Sequence, residues 1–149
     1  MADENGEGGE RPSAVDRGAL IRILDRFRTD NRIDQGYVTW NRGEPMLKVE
    51  FDLDYYPRNV EAAYPDIRWY RNDDFKIHYH ETWEHETWDC RWDRHANSHN
   101  ATDHFHPPPD APRKGEDATY PDNLHEVIGA INRRISDRIE SLWDAGNNP

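Results

Sequence analysis

Apolar residues recur at every second position across residues 46–55, and this alternation constrains the fold more than any other feature. Charged residues fill most of the intervening positions, as in Lys48 and Glu50. A period of two predicts a strand with one face against a core and the other toward solvent. A turn signal at residues 41–45 follows a shorter strand-like run, so we expect these two strands to form a hairpin. The five predicted strands cover residues 37–40, 46–55, 67–70, 75–83 and 87–92.

Two segments outside these strands carry apolar residues at helical spacing. The first begins at Ser13, where Ser13-x-x-Asp16 resembles a capping box, and its pattern ends near Asp30. The second covers residues 123–145, with Asn123 as its cap and Gly146 as its stop. The order predicts an α+β fold, an antiparallel sheet of about five strands flanked by an N-terminal and a long C-terminal helix.

The chain has 149 residues, close to the common size of one domain. Residues 1–12 are rich in Gly and Glu and contain no aromatic residue, which predicts a disordered acidic tail. We therefore expect a single α+β domain over residues 13–146. Residues 57–65 are interpreted as a connection or a helical turn, and residues 110–117 as a polar loop.

The net charge is −11, and only three of the basic residues are lysines. This composition indicates a halophile, because concentrated salt screens the self-repulsion of an acidic surface. No apolar run reaches membrane-spanning length, so we expect a cytoplasmic protein that does not bind membranes. Cys90 is the single cysteine, which excludes an internal disulfide and favours a buried thiol.

A histidine-rich segment follows the last predicted strand and is the candidate site. Arg91 and Asp93 share the polar face of that strand, and four histidines follow within twelve residues: His95, His99, His104 and His106. Cleavage of RNA without a metal needs a base, an acid and a cation for the phosphorane, and two histidines with an arginine can supply them. We take Arg91, Asp93 and the four histidines as candidate catalytic residues, with no cofactor.

Metal binding is the chemical alternative for the same segment. His95, His99, His104 and His106, with Asp103 as an oxygen donor, provide enough ligands for zinc, although their spacing matches no standard signature. A non-enzymatic interaction module, in which this segment and the helices form a partner or homodimer surface, is a further alternative. His78 and His80 share one strand face, and they either extend the site or lie on a solvated surface.

The Arg91-Trp92-Asp93-x-His95-x3-His99 run, followed by His104-Phe105-His106, resembles the TumE family of toxin–antitoxin proteins. Tyr79-His80-x2-Trp83 is similar to the aromatic–His strand of that family. The chain resembles proteins of halophilic archaea more closely than it resembles typical members of the family. Arg94 stands where the family usually has Asn, and Pro107 follows the last histidine pair. The resemblance implies a toxin-like protein that acts on RNA. It also implies an antitoxin as the partner of this protein.

Overall fold

The computed structural model describes residues 13–95 and 102–147; the predicted tail lies outside this range. One helix precedes and one helix follows seven strands along the chain, and a short 3-10 turn at Leu53–Tyr55 separates the second strand from the third. The helices are α1 (Arg17–Phe27) and α2 (Leu124–Asn147), and the strands are β1 (Ile33–Asn41), β2 (Glu44–Phe51), β3 (Val60–Trp69), β4 (Phe75–Trp83), β5 (Thr87–Arg94), β6 (Asp103–His106) and β7 (Glu116–Asp117).

The strands form one antiparallel sheet in which each strand pairs with the next along the chain. The predicted β1–β2 hairpin is confirmed, and its register ends with Asn41 opposite Glu44. Arg42 and Gly43 form the two-residue turn with φ angles of 53° and 81°. Positive φ at both central positions is the conformation whose twist matches that of a hairpin. The α+β prediction is therefore confirmed, with seven strands in the sheet.

The prediction of a connection or a helical turn over residues 57–65 is wrong, because residues 60–65 form the first six of the ten residues of β3. Pro65 lies inside this strand and is buried. A proline cannot donate to a ladder, and the described pairing of β3 with β2 ends at Asp66, immediately beside Pro65. The strand predicted over residues 46–55 is shorter than expected, because Asp52 accepts from the Asp54 N–H and begins the 3-10 turn.

Strand β6 lies in the His-rich segment, which was predicted to leave the sheet. Strand β7 lies in residues 110–117, which were predicted to form a polar loop. β6 pairs with β5, and the chain then passes through three prolines and returns to the sheet, where the Asp89 N–H donates to the Pro109 carbonyl (2.7 Å). The helix ends also differ from expectation. Asp16 caps α1 through the Ala19 N–H, in place of Ser13, and α2 continues through Gly146 to Asn147. The Asn123 cap of α2 is confirmed.

Both helices pack on the same face of the sheet, and the hydrophobic core lies between the helices and the sheet. The strands contribute alternate residues, such as Leu47, Ile67 and Ile77, and α2 contributes its apolar stripe, including Ile131 and Ile135. Cys90 is buried on this face, as predicted. Within the described residues, no helix is both long and apolar enough to cross a membrane. The opposite face of the sheet carries the polar members of each alternating strand.

Candidate functional site

Polar and charged side chains from four neighbouring strands meet on the sheet face opposite the helices. The register places His78 beside Asp66 on one side and Arg91 on the other. Across the next pair of strands, Arg91 lies opposite His106. The polar face, as defined by its central residues, consists of Asp66, His78, His80, Asp89, Arg91, Asp93, His104 and His106. His78 and His80 therefore share this face with Arg91, next to the His-rich segment.

His80 is held between two carboxylates at one end of the polar face. Its Nε2 lies 2.6 Å from Asp66 Oδ2, and its Nδ1 lies 2.7 Å from Asp89 Oδ1. Burial by itself lowers the pKa of His80, but the hydrogen bond and charge of Asp66, together with Asp89, outweigh it and raise the pKa. His80 is therefore the imidazole that the polar face stabilises in its protonated form.

His78 lies against His80 and has the opposite tendency. The two rings stack with centroids 3.8 Å apart. Burial is the main cause that lowers the pKa of His78, and the neighbouring His80 lowers it further. Its Nε2 is buried and has no hydrogen-bond partner in the described part of the chain. The pair thus combines one imidazole that favours the neutral form with one that favours the charged form.

Asp93 organises the other end of the polar face through one carboxylate oxygen. Its Oδ2 accepts a hydrogen bond from Arg91 Nε (3.2 Å) and lies 3.0 Å from His106 Nε2. His106 is only 5% exposed, and its Nδ1 donates to the Pro112 carbonyl (2.8 Å). Both ring nitrogens of His106 are therefore used within the protein, and this histidine fixes the Asp93 carboxylate.

The second oxygen of Asp93 points toward two other histidines. Asp93 Oδ1 lies 3.5 Å from His104 Nδ1 and 3.9 Å from His95 Nε2. Both Asp93 Oδ1 and His104 Nδ1 are buried without a hydrogen-bond partner among the described residues. The rings of His95 and His104 stack with centroids 5.0 Å apart. Three potential ligand atoms therefore converge beside Arg91.

The structure brings five of the six candidate catalytic residues together at this end of the polar face: Arg91, Asp93, His95, His104 and His106. His99 lies outside the described residues. Asp103, the predicted oxygen donor of the metal alternative, belongs to the helix-facing side of β6. Its carboxylate accepts from Arg94 Nε (2.8 Å) and from the Tyr120 N–H (2.9 Å).

Sequence reasoning missed Asp66, which is one of the two carboxylates that hold His80. The sequence predicts a connection or a helical turn over residues 57–65, the segment immediately before Asp66. The signal that could have revealed β3 is the alternation of buried residues through the proline, from Ala63 to Ile67 and Trp69. With β3 recognised, the period of two would have placed Asp66 on the same face as its neighbours.

The family model described as toxin TumE matches residues 20–138. The chain belongs to the TumE toxin family. This match begins inside α1, ends inside α2 and includes the whole polar face, so the resemblance carried by the His-rich segment is confirmed. No curated protein and no solved structure matches the chain.

Proposed function

We propose that this TumE-family protein is the toxin of a toxin–antitoxin pair and acts on RNA in the cytoplasm through its polar face. One observation carries the proposal: Arg91 lies between the His78–His80 pair and the histidines around Asp93. A cation with imidazoles on both sides can supply the charge stabilisation and the proton transfers that metal-independent cleavage of a phosphodiester needs. The partner implied by the family is an antitoxin that blocks this face or otherwise suppresses the activity.

Arg91 is the residue that we assign to the phosphate. Its side chain is 29% exposed, whereas the adjoining Asp93 side chain is 4% exposed, so solvent reaches the guanidinium. Asp93 and His106 act as positioning residues, because their buried side chains contact the Arg91 guanidinium and restrict its orientation. Arginine suits this role because its planar fork of N–H donors matches phosphate oxygens.

The imidazoles near Arg91 provide the proton transfers that RNA cleavage needs. A base removes the proton of the 2′-hydroxyl, and an acid protonates the leaving oxygen. His78 suits the role of base, because its lowered pKa favours the neutral form and its Nε2, which lies 3.5 Å from Asp89 Oδ1, makes no hydrogen bond within the described chain. His95 and His104 are the other histidines of this group beside the Asp93 carboxylate, and His99 remains a prediction.

Growth and RNA integrity test this proposal directly. Induction of the wild-type chain without its antitoxin should arrest growth and fragment RNA, and Arg91→Ala should reduce the purified protein's cleavage rate about 100-fold. Arg113→Ala and His85→Ala, which change residues outside the polar face, are the matched controls. Assays in both low and high salt are needed, because salt weakens binding to phosphate but screens the acidic surface.

Two results would contradict different parts of the proposal. Folded wild-type protein that arrests growth without fragmenting RNA would exclude RNA cleavage as the toxic activity. An Arg91→Ala protein that folds and remains as toxic as wild type would exclude the polar face as the site. Co-expression of the antitoxin should restore growth of cells that carry the wild-type chain.

A further inference from the structure

We propose that Asp93, His95 and His104 bind one divalent transition-metal ion of the zinc class. This site differs from the four-histidine set considered from the sequence, because it includes Asp93 and not His106. The inference rests on the positions of three side chains and not on RNA as the substrate. It can therefore be tested on the purified protein without any assay of activity. When the ion is bound, His95 and His104 are ligands, and the proton transfers of the proposed function fall to the His78–His80 pair.

The spacing of the three ligand atoms suits a metal ion better than direct hydrogen bonds. Ligand atoms about 2.0–2.1 Å from a tetrahedral zinc ion lie roughly 3.4 Å from one another. Asp93 Oδ1 lies 3.5 Å from His104 Nδ1 and 3.9 Å from His95 Nε2, and all three atoms lie within 4.8 Å of one another. The two separations from Asp93 Oδ1 are therefore close to those between zinc ligands and longer than most direct hydrogen bonds.

Two of the ligand atoms are buried and unpartnered, which is an independent indication of a missing ligand. The Asp93 side chain is 4% exposed, yet its Oδ1 accepts no hydrogen bond from the described residues, and His104 Nδ1 is in the same situation. A buried polar atom without a partner destabilises a protein, so such atoms usually contact an ion or water. A cation between them would satisfy both atoms at once.

The remaining contacts of Asp93 hold its free oxygen in place for a metal. Arg91 and His106 bind Asp93 Oδ2, which leaves Oδ1 directed toward the histidines. His106 is fixed in turn by the Pro112 carbonyl and by Gly115, where an added Cβ would lie 2.8 Å from the His106 ring. Hydrogen bonds from neighbouring groups to the ligating side chains orient those side chains toward the metal in proteins.

The other His/Asp group on the polar face is a poorer metal site. Asp66, His78 and His80 also cluster, but both nitrogens of His80 already contact carboxylate oxygens at 2.6 and 2.7 Å. These are hydrogen-bond distances, and a metal would have to replace both bonds. Imidazole and carboxylate ligands together favour ions such as Zn²⁺, and three protein ligands leave one tetrahedral position open.

Metal titration of the purified full chain tests the site. After treatment with a chelator and dialysis, Zn²⁺ is titrated by calorimetry, and Co²⁺ by its visible absorption, which reports coordination geometry. We expect one ion per chain and a zinc-dependent rise in melting temperature. His95→Ala and His104→Ala should each weaken binding at least ~10-fold, while His85→Ala and His125→Ala should bind like wild type.

His95→Ala is the more informative variant, because the His95 side chain is 45% exposed and its loss leaves the core intact. Circular dichroism confirms folding of each variant before titration. Absence of zinc binding by the wild-type chain would overturn the proposal. Undiminished binding by both folded variants would also overturn it, as would loss of binding in His78→Ala alone, which would assign the ion to the other group. None of these results depends on cleavage of RNA.

Discussion

Two buried carboxylates on opposite faces of the sheet differ in how completely they are paired. Glu81, on the helix-facing side of β4, is 0% exposed and accepts hydrogen bonds with both oxygens. Tyr79 and Trp83 each donate one bond, and Arg138 of α2 donates two, at 2.7 and 3.0 Å. Asp93, on the polar face of β5, has one paired oxygen and one without a hydrogen bond from the described residues.

The difference indicates what each carboxylate contributes. A buried charge that is fully hydrogen-bonded stabilises a unique arrangement, and here Glu81 joins α2 to the sheet through Arg138. A buried charge with an unpaired oxygen costs stability unless a ligand completes it. The helix-facing carboxylate therefore belongs to the architecture, whereas the carboxylate of the polar face belongs to the candidate site.

The largest expected effect comes from breaking the Glu81 network. Glu81→Gln removes the charge that pairs with Arg138 and should lower the free energy of unfolding by about 3 kcal/mol. We expect the lower end of the range for broken buried pairs, because the Arg138 side chain is 19% exposed and can turn toward water. Urea unfolding followed by tryptophan fluorescence measures the change.

The exposed neighbour Glu84 provides the control for this prediction, since its side chain is 63% exposed. Glu84→Gln should leave the unfolding free energy nearly unchanged. A loss below about 1 kcal/mol in Glu81→Gln would contradict the structural role of this carboxylate.

A smaller loss of stability, about 1 kcal/mol, is expected for Asp93→Asn. The variant weakens the bonds from Arg91 and His106, but it also removes a buried charge whose second oxygen is unpaired. The same variant should abolish growth arrest and the zinc-dependent rise in melting temperature. Urea unfolding without metal, compared with Glu81→Gln, gives the decisive ranking. If Asp93→Asn is the more destabilising of the two, the contrast between the two carboxylates fails.

The polar face should also make stability depend on pH through His80. Burial lowers the pKa of His80, but the interactions with Asp66 and Asp89 outweigh it and raise the pKa above its ordinary value of 6.5. The resulting stabilisation is fully present below pH 6.5 and is lost as the pH rises through the folded-state pKa. Wild type should therefore lose stability relative to His80→Asn above pH 6.5. Parallel curves for the two proteins would contradict this.

The smallest effect is expected at Cys90, on the helix-facing side. Burial, and next the charge of Glu81, raise the pKa of its thiol to about 12. The folded protein should react with a thiol reagent only as fast as it opens, whereas the urea-unfolded chain should react at once. Glu81→Gln should accelerate the reaction through loss of stability, and Asp93→Asn should do so much less. Rapid reaction of the folded wild-type protein with the thiol reagent would contradict the burial of Cys90 on the helix-facing side of the sheet.

Local pattern was sufficient to predict the helices and the strands that alternate cleanly. The period of two placed Asp89, Arg91 and Asp93 on one face of β5, and the structure confirms this placement. The pattern failed where a local rule conflicted with the tertiary arrangement. Residues 57–65 were predicted as a connection or a helical turn, but β3 runs through Pro65, and its described ladder with β2 ends at the pair Lys48–Asp66 next to this proline.

The sequence by itself determined the fold class, the family resemblance and the segment of the candidate site, because these depend on residue types and spacing along the chain. Only the tertiary structure decided which groups meet. His104 reaches Asp93 because β6 pairs with β5, and Asp66 reaches His80 through a separate strand. Likewise, Glu81 is paired because α2, 57 positions later, brings Arg138 to it. Such contacts depend on strand register and helix docking, which local spacing does not encode.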